Sequence, residues 1–111
     1  MKAWRLWSVH ARRSAADFRG FTACYTCGKK FPWQEMHAGH YHHGRLDFDP
    51  LNVHPQCVRC NLRLHGNLGN YSERLFEEHG PDAVKELRRR ASQGHRYTIP
   101  ELEEIIVRLS G

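Results

Sequence analysis

Two cysteine pairs, Cys24-Tyr-Thr-Cys27 and Cys57-Val-Arg-Cys60, limit what this chain can fold into more than any other feature. Four thiolates in two C-x2-C pairs make a tetrahedral zinc clamp, and a clamp forces the segments that carry it together. It matters here because the chain has 111 residues, a size at which apolar burial alone leaves little surplus stability. Four cysteines also suffice for two disulfides. Residues 1–20, however, carry Arg5, Arg12, Arg13 and Arg19 and no continuous apolar run. That is not the pattern of a secretory leader, so a reducing compartment and a metal are expected. Cys24, Cys27, Cys57 and Cys60 are the expected ligands of a structural zinc. Gly28, directly after Cys27, permits the tight turn of a metal knuckle. The pairs lie farther apart than the common spacing of roughly 15–20 residues. Something is inserted between them, and it holds His37, His40, His42, His43, Asn52 and His54.

Along the chain, residues 3–19 are predicted as a helix, with Trp4, Trp7, Ala11, Ala15 and Phe18 as a buried stripe and Gly20 as its stop. Its arginines fit phosphate contacts and a solvated face equally well. Trp33 fits packing beside the metal or stacking on a base. Short strands are predicted at the start of 37–56 and over 51–53, with a turn at Asp49-Pro50. A helix over 57–66 would carry the second cysteine pair, Asn61 and His65, with Gly66-Asn67 and Gly69-Asn70 breaking it. Three more helices are predicted. The first, 71–79, turns Tyr71, Leu75 and Phe76 inward. The second, 82–92, turns Ala83, Val84, Leu87 and Ala91 inward. The last, 99–109, opens on the capping box Thr98–Glu101. No stretch is long and apolar enough to span a membrane. The fold class is α+β, a zinc-stabilised ββα core with flanking helices. It divides into a basic N-terminal helix (1–20), the zinc-pinned core (21–70) and C-terminal helices (71–111) that form a candidate homodimer interface.

Residues 1–66 hold ten Lys or Arg against four Asp or Glu, and residues 67–111 hold seven against eight. A basic first half suits a polyanionic partner, most simply nucleic acid. Cutting a phosphodiester needs a base for water and a cation for the developing charge. Histidine serves as the base near neutral pH, and an Asn carbonyl oxygen suits Mg²⁺, which keeps several of its waters. His40, Asn52 and Asn61 are therefore candidate catalytic residues. Asn61, with His37 or His65, is the candidate ligand set for a catalytic Mg²⁺ or Mn²⁺. His65 follows Asn61 by four, which on a helix is the same face. Arg45, Arg59 and Arg63 are candidate DNA contacts, with plain solvation as the alternative. His42, His43 and His54 are expected to face solvent or substrate.

The run His40, Asn52, Asn61 resembles the HNH, or ββα-metal, nuclease superfamily in its H-N-N form. The segments HAGHYHHGR (37–45), LNVHPQCVRCN (51–61) and GNLGNYSERL (66–75) resemble the phage NinG/Rap recombination nucleases. That likeness runs from near Leu6 to past residue 90. The cysteine placement, with Asn61 directly after the last cysteine, is similar to phage endonuclease VII, a junction resolvase. These resemblances imply a metal-dependent DNA endonuclease inside the host cell, acting on branched DNA such as Holliday junctions or D-loops. They imply His40 as general base, Asn61 as ligand of the catalytic ion and Asn52 as the residue orienting the loop that carries His40. The family places Asp where this chain has His37, and imidazole is the poorer Mg²⁺ ligand. Three other readings stay open: a non-catalytic zinc-finger DNA-binding module, an HNH nicking or restriction-type nuclease acting on plain duplex, and a protein-interaction module.

Overall fold

The computed structural model describes residues 2–43, 46–93 and 96–110. Lys2–Arg13 forms helix α1, shorter than the predicted 3–19. Asp17 organises the chain beyond it. Its Oδ1 accepts the backbone N–H of Arg19 at 2.9 Å and of Phe21 at 3.0 Å, a local alternative to helical pairing. The predicted stripe therefore stops at Ala11. Ala15 is exposed, and Phe18 is 92% exposed.

Two antiparallel ribbons follow. β1 (Phe21–Ala23) pairs with β2 (Lys30–Pro32), and Cys24 and Cys27 sit on the tip between them. The Cys24 N–H binds the Lys29 carbonyl at 2.8 Å, and the Gly28 N–H binds the Cys24 carbonyl at 2.9 Å. Gly28 has φ 79° there, the left-handed conformation that glycine adopts without steric cost. After a 3₁₀ turn at Trp33–Glu35, β3 (His37–His40) pairs with β4 (Val53–Gln56). The strand predicted over 51–53 is displaced. Leu51 and Asn52 complete the turn instead, their N–H groups held by the side chain and carbonyl of Asp49, each at 2.9 Å.

The second cysteine pair leads into a single π-helical turn, Arg59–Arg63, in place of a helix to residue 66. His65, Gly66 and Asn67 then take φ values of 51°, 91° and 48°, a left-handed run that no right-handed helix continues. α2 (Leu68–His79) starts at once, so Gly69 and Asn70 lie in its first turn and do not break it. Tyr71 and Leu75 are buried, whereas Phe76, predicted inward, is 54% exposed. α3 (Pro81–Gln93) buries Ala83, Leu87 and Ala91, with Val84 at the margin of the same core. α4 (Ile99–Ser110) opens on the predicted capping box. The Thr98 N–H binds the Glu101 carboxylate at 3.0 Å, and the Glu101 N–H binds the Thr98 hydroxyl at 3.3 Å.

α1 packs on α4 and on the β3–β4 ribbon, and α2 packs on α3. One core gathers Leu46, Tyr71, Leu75, Leu87 and Ala91. A second gathers the sulfurs of Cys24, Cys57 and Cys60 with Met36 and Phe31. Gln56 joins the ribbon to its surroundings. It is fully buried, and its Nε2 donates to the Gly66 carbonyl at 2.8 Å and to the Thr26 hydroxyl at 3.1 Å. The Gln56 side chain lies against Gly39, where any Cβ would collide with it. Gly39→Ala is therefore expected to destabilise the fold by about 1–3 kcal/mol, the usual cost of overpacking. A lower urea midpoint at unchanged slope would show it; an unchanged midpoint would mean that Gln56 can move aside.

Candidate functional site

The four cysteine sulfurs, brought together from the β1–β2 tip and from the junction after β4, all lie within 4.8 Å of one another. Cys27 Sγ and Cys57 Sγ are 3.9 Å apart. Four sulfurs about 2.3 Å from a tetrahedral zinc stand about 3.8 Å from each other, so the cluster fits that ion. The surroundings fit thiolates. Asn67 Nδ2 points at Cys60 Sγ from 3.6 Å, and the Thr26 hydroxyl lies 3.4 Å from Cys24 Sγ. Burial alone would raise the Cys24 thiol, but Thr26 and the N–H groups of Cys57, Cys27 and Thr26 hold it down to about 6. Burial pushes the neighbouring Cys27 up to about 12, with the Cys24 charge adding to it. A cation among the sulfurs removes that conflict, since metal-bound cysteines are held as thiolates.

The β3–β4 ribbon sorts the inserted histidines. Side chains alternate along a strand, so His37 and Gly39 share one face of β3 while His40 belongs to the other. The observed partners follow that division. His37 Nδ1 lies 2.9 Å from Asn61 Nδ2, beside the cysteine cluster. His40 instead meets α1, where Trp4 stacks on its ring with centroids 4.7 Å apart and planes 23° apart. Asp47 Oδ1 lies 3.1 Å from His40 Nε2, close enough for an ion pair though off line for a hydrogen bond. The His40 side chain is 17% exposed. Burial lowers its pKa, Asp47 pulls it back up and His43 pushes it down, leaving it below the ordinary 6.5. At pH 7 the ring is neutral and its basic nitrogen carries a lone pair.

Asn52 is fully buried. Its Oδ1 accepts the His42 N–H at 2.8 Å, and its Nδ2 donates to the carbonyls of His42 at 3.1 Å and Leu46 at 3.2 Å. It therefore braces the two ends of the loop that follows His40. His65 lies beyond the helical turn, exposed and with φ 51°, so no helical repeat relates it to Asn61. That corrects the same-face expectation. Among the described residues His65 joins no cluster of three or more His, Cys, Asp or Glu. Arg59 and Arg63 flank Asn61 on the π turn, both exposed. Arg45 lies outside the described residues.

Other expectations change. His54 is half-buried rather than a free surface histidine. It stacks on Tyr25 at 3.8 Å between centroids and bonds Tyr71 through Nδ1 at 3.0 Å. Burial, chiefly, lowers its pKa to about 4. His42 is half-buried. Trp33 packs against the cations of Arg12 and Arg13, 5.6 and 5.9 Å from its ring, and Arg12 Nη1 donates to the Met36 carbonyl at 3.2 Å. Arg12 thus ties α1 to the knuckle. Two residues at His40 were missed. Trp4 was read only as part of a buried stripe, and Asp47 carried no signal beyond lying in the histidine-rich insertion.

These features define a small mixed helix-and-strand domain built on a four-cysteine cluster able to hold zinc. The chain belongs to the family described as "Bacteriophage Lambda NinG protein", which it matches over residues 9–111. It is 37% identical over 86 residues to the protein ninG of Escherichia phage 933W, covering 74% of this chain and 42% of that protein. It is likewise 37% identical over 86 residues to ninG of Escherichia phage lambda and 38% identical over 86 residues to ninG of Salmonella phage P22. Each match covers 74% of this chain and 41% of the relative. The chain thus spans about two fifths of the length of these curated relatives. No solved structure matches it. Among the described residues no helix is long and apolar enough to cross a membrane.

The cluster gives a direct prediction. Zinc fingers draw about 10–16 kcal/mol of folding free energy from their metal, as much as the roughly 5–15 kcal/mol of a whole domain. Stripping zinc with a thiol reagent and chelator, or Cys60→Ser, is therefore expected to abolish the cooperative thermal transition. Elemental analysis of the intact chain should find zinc that the Cys60→Ser chain lacks. A chain that unfolds cooperatively without zinc would show the clamp to be dispensable.

Proposed function

We propose that this chain is a metal-dependent DNA endonuclease of the HNH, or ββα-metal, kind, acting on branched DNA. The observation that carries the proposal is His40, a neutral imidazole held between Trp4 and Asp47 at the end of a ribbon pinned by four cysteines. A base whose pKa lies below working pH stands deprotonated, ready to take a proton from water. Asp47 and Trp4 set the direction of its ring. Asn61 supplies the ion's ligand. Its Nδ2 faces His37 Nδ1, which leaves Oδ1 as the atom presented, and Mg²⁺ needs few protein ligands. His37 on this reading orients Asn61, the work that a carboxylate at position 37 would share. A divalent ion bound there would neutralise the scissile phosphate and the departing oxygen. Arg59 and Arg63 are placed to grip flanking phosphates. Paired cuts at a junction need two active sites, so the proposal includes a homodimer. Its interface lies on α2–α4, where Phe76, Ile99 and Val107 are exposed apolar residues.

One observation favours a second reading, a zinc-stabilised DNA-binding module without catalysis. Strand alternation places His40 on the ribbon face opposite the His37–Asn61 pair, and no carboxylate stands at position 37.

Cleavage of a labelled four-way junction and of matched duplex, in Mg²⁺ and then Mn²⁺, separates these readings. His40→Ala is expected to lower junction cutting by about 10²–10⁴-fold while leaving binding intact. Binding without cutting in either metal would select the module, and equal cutting of duplex would remove the branched-DNA preference. The pH profile carries a further expectation. Because His40 titrates below 6.5, the rate should be flat near pH 7 and fall only as pH drops through that lowered pKa. Asp47 raises it, so Asp47→Asn should move the acid limb to still lower pH. An acid limb unmoved by Asp47→Asn would assign the titration to another group.

A further inference from the structure

Away from His40, the turn of α2 that ends at Gly80 meets the middle of β4. One ring nitrogen each from His54 and His79 and a carboxylate oxygen of Glu78 lie within 4.8 Å of one another. We propose that His54, Glu78 and His79 bind a second divalent transition-metal ion, zinc in the first instance, at a site separate from the four cysteines.

The hydrogen bonds around the three residues aim their ligand atoms. Tyr71 Oη donates its single proton to the Gly39 carbonyl at 2.8 Å. It can therefore only accept from His54 Nδ1, 3.0 Å away. That fixes the tautomer: Nδ1 carries the hydrogen, and Nε2 keeps its lone pair for an ion. A metal-binding histidine is commonly held in this way, its other ring nitrogen donating to a fixed acceptor. Burial keeps the imidazole neutral at pH 7, the form a metal requires. Glu78 is divided similarly. Arg74 Nε holds Oε2 at 3.1 Å, and Oε1 lies 3.1 Å from His79 Nε2. Two ligand atoms about 2.1 Å from a tetrahedral zinc stand about 3.3 Å apart, so Glu78 and His79 already have the spacing of a chelating pair. The longest separation, up to 4.8 Å, closes by rotation of Glu78 and His79. Their side chains are 38% and 36% exposed, which leaves room for that rotation about the Arg74 contact.

The donor set selects the ion. Two imidazoles and one carboxylate favour zinc and its neighbours over Mg²⁺ or Ca²⁺, which prefer oxygen alone. Three protein ligands leave a fourth position for water. Binding would tie β4, which leads into the second cysteine pair, to the last turn of α2.

The probe is Co²⁺ added to the full chain already carrying zinc on its cysteines, followed by visible absorption. Binding at nitrogen and oxygen ligands gives weak ligand-field bands without the near-ultraviolet thiolate charge-transfer band that replacement at the cysteines would show. The chain carrying Asn61→Ala, which lacks the ligand proposed for the catalytic ion, is expected to bind one further equivalent. His79→Ala and Glu78→Gln should each weaken it about tenfold or more, since loss of even an outer partner of a ligand costs that much. Both residues are exposed, so neither change threatens folding. A band that survives both substitutions would assign the ion elsewhere. No band at millimolar Co²⁺ would overturn the proposal outright.

Discussion

Everything in this domain leans on the meeting of four sulfurs. Two-stranded ribbons of three and four residues do not stand alone in water. Here the cluster clips the tip of one ribbon to the end of the other, and short polar bonds spread the restraint. The Tyr25 N–H binds the Pro55 carbonyl at 2.8 Å. Gln56 reaches both Thr26 and Gly66, and Asn67 reaches Cys60. The left-handed run at 65–67 persists because these bonds hold it on both sides. A cation held among the sulfurs would therefore set the strand positions, and the strands in turn set the histidines.

Tyr71 carries that order into the helical half. Its hydroxyl meets the Gly39 carbonyl, the Asn52 carbonyl and His54, while its ring lies in the α2–α3 core. One buried side chain thus joins both strands of the central ribbon to the helices. Asn52 does the same for the loop after His40. The loop after His40 consequently rests on Asn52 and Tyr71, buried polar side chains that are hydrogen-bonded, the condition under which such groups specify one conformation rather than cost stability.

The ribbon also divides the chemistry. On one face, His37 and Asn61 stand beside the cysteines. On the other, His40 is packed against α1. His54 serves neither group and looks towards the end of α2. The α1 helix has two tasks, since Trp4 covers His40 and Arg12 ties the helix to Met36 and Trp33. Arg12 is thereby committed to packing, whereas Lys2, Arg5, Arg13, Arg19, Lys29, Lys30, Arg59 and Arg63 are exposed.

Local rules read correctly what is written locally. The C-x2-C spacing announced the cluster, the 3.6-residue pattern announced α3, and Thr98 with Glu101 announced the start of α4. Family likeness through the segments around His40, Asn52 and Asn61 was also legible. The misses share one cause: they depend on partners distant along the chain or on one competing side-chain bond. Asp17 redirected the chain after α1 by taking two backbone N–H groups. The wide π turn and left-handed residues after Cys60 carried His65 off a helical face, because Gln56 holds Gly66 from outside and Asn67 ties the segment back to Cys60. His54 looked like one more surface histidine until Tyr25 and Tyr71 closed around it. The sequence by itself determined that four thiolates would be gathered, and therefore which segments meet. Only the tertiary structure decided which face each histidine takes and which residue stands against it, because strand alternation, burial and cross-chain hydrogen bonds exist only once the segments have met.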